Sequence, residues 1–182
     1  MAFTVEDGTG LATANSFCDV PTADAYFTDR NTASNPLAAA WLALAIGDKQ
    51  ALLIEATDYI NVRFNGKFLG QPVNPGVQAL EWARFLDPTI TTLPQPLPAC
   101  LQKATCEYAI RAKAGPLAPD PVTDPSGYQV VRSLRRVASI QKETEFAVKG
   151  PGSIPQYLKP YPAADMLLRP ILLPSYGRVI RN

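Results

Sequence analysis

Histidine, the side chain that most often moves protons in enzymes, is missing altogether from the 182 residues. That removes Ser-His-Asp triads, imidazole metal ligands and imidazole proton shuttles together. Glu55 and Asp58 stand three apart on an expected helix and so share a face, where paired carboxylates can do acid–base work or hold Mg²⁺. No further ligand clusters beside them, and they read as solvated or ion-paired surface. Gly8-Thr9-Gly10 has the small residues of a phosphate loop. It lacks the third glycine, the preceding apolar strand and the Lys-Ser/Thr pair that cradle phosphate, and it reads as a turn or flexible arm. Serine, cysteine and lysine nucleophiles need an activating base, and none is indicated. No catalytic, cofactor-binding or metal-ligating residue is assigned, no cofactor is expected, and the chain is not expected to be an enzyme.

The cysteines, Cys18, Cys100 and Cys106, are odd in number and form no CxxC. Neither a disulfide framework nor a zinc site is indicated. Cys100 and Cys106 fall on one expected helix, about 240° apart around its axis, so they are not placed to pair. All three are read as buried free thiols, which suits folding in a reducing cytosol. The N-terminus lacks a signal-peptide pattern, and the longest apolar run, 37–46, is too short to span a bilayer, so no membrane association is expected.

Charge is divided along the chain. Residues 1–128 hold 8 Lys+Arg against 13 Asp+Glu, net −5; residues 129–182 hold 9 against 3, net +6. Arg132, Arg135, Arg136 and Lys142, with Lys149, make the segment 128–150 basic. They bind phosphates, face acidic neighbours in an oligomer as an intersubunit basic hairpin, or form an idle solvated face. At 18% charged residues the chain is sparse for a nucleic-acid binder, which favours the second reading. Tyr26, Trp41, Tyr59 and Tyr108 lie on apolar helix faces, where core packing outweighs stacking on bases.

Proline, 18 of 182 residues, breaks the chain into short elements joined by long connections. The first twenty residues read as an extended or looped arm. A first helix is expected from Thr22 or Ala23 to about Arg30. A second opens with Asn35 as N-cap and Pro36 at the first helical position, and ends at Gly47. A third starts from Asp48 as N-cap and reaches Phe64, with Leu53, Ala56, Ile60 and Phe64 as its stripe. Residues 65–98 are mostly irregular, anchored by a turn at 78–82. A fourth helix runs from Pro98 to Gly115 with Leu101, Ala104, Tyr108 and Ala112 inward. A linker with four prolines, 116–127, leads to two antiparallel strands within 128–150. A last short helix, 163–172, carries Met166, Leu167 and Ile171 on one side, and 174–182 forms an extended tail. The fold class is mainly α: a small bundle of about four helices with long Pro-rich loops, a β-hairpin extension, a short last helix and a C-terminal tail. The domain plan is a helical body at 1–115, a linker at 116–127, a hairpin at 128–150, and a docking helix with tail at 151–182.

Certain segments carry a resemblance. Val5-Glu6-Asp7-Gly8-Thr9-Gly10-Leu11, Ala14-Asn15-Ser16-Phe17 and Ala23-Asp24-Ala25-Tyr26-Phe27 resemble a set of tailed-bacteriophage proteins. So do Ala56-Thr57-Asp58-Tyr59-Ile60, Gln78-Ala79-Leu80-Glu81-Trp82-Ala83-Arg84, and the helix introduced by Leu97-Pro98. The match covers about residues 3–115 well and the remainder in outline. That set is often labelled DnaT-like single-stranded-DNA-binding, and its plan is similar to head–tail connector (adaptor) proteins. The usual Trp-Pro-Arg is here Trp82-Ala83-Arg84, which should loosen the loop. The resemblance implies a structural virion protein at the head–tail interface, in the host cytoplasm during assembly. It implies a homo-oligomeric ring of about 12 copies under the portal protein, with tail or nozzle/neck proteins below. Genomic double-stranded DNA would pass non-specifically through the lumen. The tail, with Tyr176, Arg178, Val179, Ile180 and Arg181, is expected to dock on the portal. The rival expectation is a DnaT-like single-stranded-DNA-binding replication protein, and another is a different neck or tail-completion protein.

Overall fold

The computed structural model describes residues 2–87, 96–120, 130–136, 141–146 and 159–173. They form a mainly helical protein of five α-helices with two small antiparallel sheets. The chain divides into two compact units: Met1–Leu117 together with Pro160–Asn182, and Ala118–Lys159.

Three helices begin where the sequence supplies a cap or a proline. Helix α1, Val20–Thr28, starts at Asp19, whose carboxylate accepts the Thr22 amide; this is earlier than expected because Pro21 fits inside the first turn. Helix α2, Pro36–Leu42, has Asn35 as its cap. Helix α5, Pro162–Leu168, opens on a proline and continues as a 3-10 turn, Arg169–Ile171.

Gly47 and Asp48 behave differently from the expectation. Helix α3, Ile46–Arg63, starts at Ile46 after Ala45. Gly47 therefore sits inside the first turn instead of ending α2, and Asp48 is a first-turn acid instead of the cap. An acid there still complements the positive end of the helix. The inward stripe is as expected, with Leu53, Ala56, Tyr59, Ile60 and Phe64 buried.

Helix α4, Ala99–Ala112, buries Leu101, Ala104, Tyr108 and Ala112. Helices α3 and α5 both pack against it. The inward face of α5 differs from the expected one. Ala164, Leu168 and Ile171 are buried, while Met166 is 58% exposed. The rotation is set by Asp165, which must reach Arg63 and Tyr108 on the neighbouring helices.

Between α3 and α4, strands β1, Gln71–Pro72, and β2, Arg84–Phe85, pair antiparallel in register Gln71↔Phe85 and Pro72↔Arg84. Gly70 makes this approach possible. Its φ is +74°, and a Cβ there would lie 2.2 Å from the Phe85 carbonyl oxygen. In the other unit, strands β3, Val130–Arg136, and β4, Gln141–Phe146, form the second sheet, with an irregularity between Val130 and Arg132.

Candidate nucleic-acid interface

A surface that holds single strands needs free cations for phosphates and exposed aromatic faces for bases. In the helical body both are largely committed to structure. Trp41, Trp82 and Tyr108 are at most 1% exposed, and Tyr59 is buried. Trp41 stacks near Phe27 and donates its indole N–H to Asp24 at 2.8 Å. Tyr59, Tyr108 and Tyr161 form a mutual cluster with ring centroids 5.2 to 6.0 Å apart. Half-buried Tyr26 donates to Glu107 at 2.6 Å.

Body cations are engaged in the same way. Lys49, itself buried, pairs with Asp24 at 2.8 Å. Arg63 pairs with Asp165 at 2.8 Å and donates to the Tyr59 hydroxyl at 2.7 Å. Arg111 pairs with Glu107 on α4. Arg84 donates to the carbonyls of Leu69, Gly70 and Glu81 and to the Glu81 carboxylate. Among the described residues at least four of the eight Lys and Arg in 1–128 are thus in ion pairs, in a stretch with 13 Asp and Glu.

The tyrosines report this closed environment. Burial, and then the hydrogen bond to Asp165, push Tyr108 far above the ordinary 10.0. Burial and the bond to Glu107 do the same to Tyr26. Neither phenol is available as an acid near neutrality. Desolvation by the surrounding chain raises the Asp58 carboxyl above its ordinary value. Both Asp58 and Glu55 are exposed on α3. Among the described residues no group of three or more Cys, Asp or Glu could hold a metal ion, and no helix is long and apolar enough to cross a membrane.

The glycine-rich opening proves to be a closed internal device. The Glu6 side chain is 1% exposed, and its carboxylate accepts the amides of Gly8, Gly10 and Leu11 at 2.8 to 3.0 Å. Positive φ at Gly8 and Gly10 turns those amides inward. The loop is therefore an anion cradle filled by the chain's own carboxylate. It also does not hang free as an arm. The Asn74 side chain donates to the Thr9 and Gly10 carbonyls, and the Ala79 amide donates to the Leu11 carbonyl. The Phe17 amide meets the Thr57 hydroxyl at 3.2 Å. Sequence reasoning missed Asn74 and Asp165, since nothing in a single carboxylate or amide announces a partner tens of residues away, and it missed Glu6 although its partners lie two to five residues on.

The segments that carry the family resemblance meet here. The opening motif, the α3 motif and the 78–84 motif lie against one another, so they specify architecture. Trp82 is buried against Phe68 despite Ala83 in place of proline. Its indole N–H has no hydrogen-bond partner among the described residues.

The basic hairpin residues occupy β3 and β4. The register sets Arg135 opposite Lys142 and Arg132 opposite Glu145, with Arg136 opposite Gln141. Arg135 and Lys142 thus form one cross-strand basic pair, while Arg132 and Arg136 share the other register parity with Glu143 and Glu145. The four do not make a single stripe. Tyr176, Arg178, Val179, Ile180 and Arg181, the expected portal-docking residues, lie outside the described residues.

No curated protein matches this chain, and no solved structure does. A protein-family model described as "Putative DnaT-like ssDNA binding protein" matches residues 1–182, the whole length. With every motif of the resemblance built into one body and the match running end to end, the chain belongs to this DnaT-like family.

Proposed function

We propose that this chain binds single-stranded DNA without sequence preference, through cations of its C-terminal third instead of bases stacked on the helical body. The description of its family supports DNA binding. The observation that carries the location is the charge division: net −5 in residues 1–128, where at least four cations are already paired, and net +6 in residues 129–182. Cations of this kind meet phosphates, so binding is weak and salt-sensitive. The protein acts without catalysis and without a cofactor. Anisotropy of a labelled oligo-dT titrated at several salt concentrations tests this. Replacing Arg132, Arg135, Arg136 and Lys142 by Ala should weaken binding and flatten the salt slope by about 0.7 for each phosphate no longer neutralised. Tight, salt-insensitive binding that disappears with Trp41→Ala or Tyr59→Ala would place the strand on the body and refute the proposal.

The same charge division favours a second reading, the head–tail adaptor of a phage virion. An acidic part and a basic part on one chain suit head-to-tail contacts, and these close into rings. The buried aromatics suit a lumen wall along which genomic double-stranded DNA slides. In this reading about 12 copies sit beneath the portal protein, tail or nozzle/neck proteins attach below, and the 174–182 tail docks on the portal. Assembly takes place in the host cytoplasm and the product resides at the head–tail interface. Imaging of the protein mixed with portal should show a closed ring, and deleting 175–182 should abolish the association. A free, portal-indifferent monomer that still binds oligo-dT leaves only the first reading.

A further inference from the structure

Cys18 and Cys106 lie 88 positions apart in the chain, yet their Sγ atoms are 3.7 Å apart in the folded body. Both residues are at most 1% exposed. Cys18 stands at the joint between the N-terminal loop and α1, one residue before the Asp19 cap. Its amide and carbonyl are both bonded to the Ser16 hydroxyl, so the joint is held in one geometry. Cys106 lies in the middle of α4, on its buried face. Cys100, the third thiol, is only half buried and is paired with neither.

We propose that Cys18 and Cys106 are a latent disulfide, a modification site that locks the N-terminal loop to α4 under oxidising conditions. The sulfurs sit at van der Waals separation. A bond of about 2.05 Å requires them to approach by less than about 2 Å, within the reach of side-chain rotation and a small loop shift. The oxidant is a low-molecular-weight disulfide such as oxidised glutathione. One cysteine thiolate attacks it, forming a mixed disulfide and releasing one glutathione thiolate. The second cysteine attacks the protein-side sulfur, forming Cys18–Cys106 and releasing the second glutathione. The protein loses two electrons and two protons; the oxidant gains both and becomes two thiols. Burial dictates the kinetics. The bond to Cys18, and then desolvation, hold the Cys106 thiol well above its ordinary 9.0, so the closed body is unreactive. Reaction follows opening of the N-terminal loop, or takes place during folding before the sulfurs are enclosed. Once formed, the bond closes a long loop, and long loops constrain the unfolded chain most.

The full-length Cys100→Ser variant isolates the pair. It should be refolded from urea in a buffer of oxidised and reduced glutathione and compared with the same protein kept in dithiothreitol. The expected product is a monomer with both thiols consumed, a Cys18–Cys106 linked peptide in the digest, and a melting temperature higher by on the order of 5 °C. Cys18→Ser in the same background should show neither the link nor the shift. The proposal is overturned if the two thiols persist after oxidative refolding, if glutathione adducts or intermolecular dimers form in place of the link, or if the linked protein melts lower than the reduced one.

Discussion

The two units of this protein are built on opposite principles. In the helical body several charged and aromatic groups are used internally: Glu6 on three amides, Asp24 on Trp41 and Lys49, Asp165 on Arg63 and Tyr108. In the other unit the described elements are one pair of antiparallel strands, whose register sets Arg135 beside Lys142. The difference separates the packed body from the strand pair that carries Arg132, Arg135, Arg136 and Lys142, four of the cations of the proposed DNA contact.

Substitutions in the body should break that separation with the largest effects. Trp41→Ala removes a fully buried indole and its bond to Asp24, and should cost about 3–5 kcal/mol in urea unfolding. Gly70→Ala places a methyl against the Phe85 carbonyl at a left-handed φ, and should destabilise by about 3 kcal/mol or prevent folding. Asp165→Asn leaves the Arg63 guanidinium without its counter-charge and should cost about 2–3 kcal/mol. A body that shrugged off these changes would mean that its buried polar network is not what holds it.

Alkaline pH offers a finer probe. The folded-state values of Tyr26 and Tyr108 are raised, so the folded state holds these protons more tightly than the unfolded chain. Their contribution is complete below the unfolded value near 10.0 and is lost as pH rises above it. Thermal melts followed by circular dichroism should therefore fall steeply beyond that pH, and less steeply in Tyr108→Phe. The smallest effect is expected in the hairpin. Replacing Arg132, Arg135, Arg136 and Lys142 by Ala should move the body's melting temperature by no more than about 2 °C while reducing oligo-dT binding. Joining 117 to 160 by a short Gly-Ser linker tests the same point, because the Tyr161 hydroxyl already donates to the Leu117 carbonyl at 3.1 Å. That variant should keep the helical circular dichroism signal and bind DNA more weakly, since it loses Arg132, Arg135, Arg136, Lys142, Lys149 and Lys159 but keeps Arg169, Arg178 and Arg181.

Local signals make most of the fold readable. Asn35-Pro36 marks the start of α2, the apolar spacing of α3 and α4 marks their buried faces, and the alternation near 130–146 marks the strand pair. Gly47 and Asp48 mislead because glycine reads as a terminator and aspartate as a cap, whereas α3 already starts at Ile46 and takes both, exposed, into its first turn. The face of α5 is hidden from local reading because its rotation is decided by Arg63 and Tyr108, about a hundred and about sixty residues distant. The meeting of Cys18 with Cys106 is equally non-local. The charge division behind the proposed DNA contact is legible from residue counts alone, but the cross-strand register that splits its cations is not.

The return of the chain after the hairpin sets the order of biosynthesis. Helix α5 supplies Asp165 to Arg63 and Tyr108, and the segment after it bonds back to Lys67 and Leu69. The body's last pieces therefore leave the ribosome only after the 42 residues of Ala118–Lys159 have been made. At about 5–20 residues per second that is roughly two to eight seconds in which nascent α3 and α4 lack the α5 side of their packing. The molecule spends its synthesis as an unfinished bundle, and its yield in a cell depends on how well that interval is kept free of aggregation.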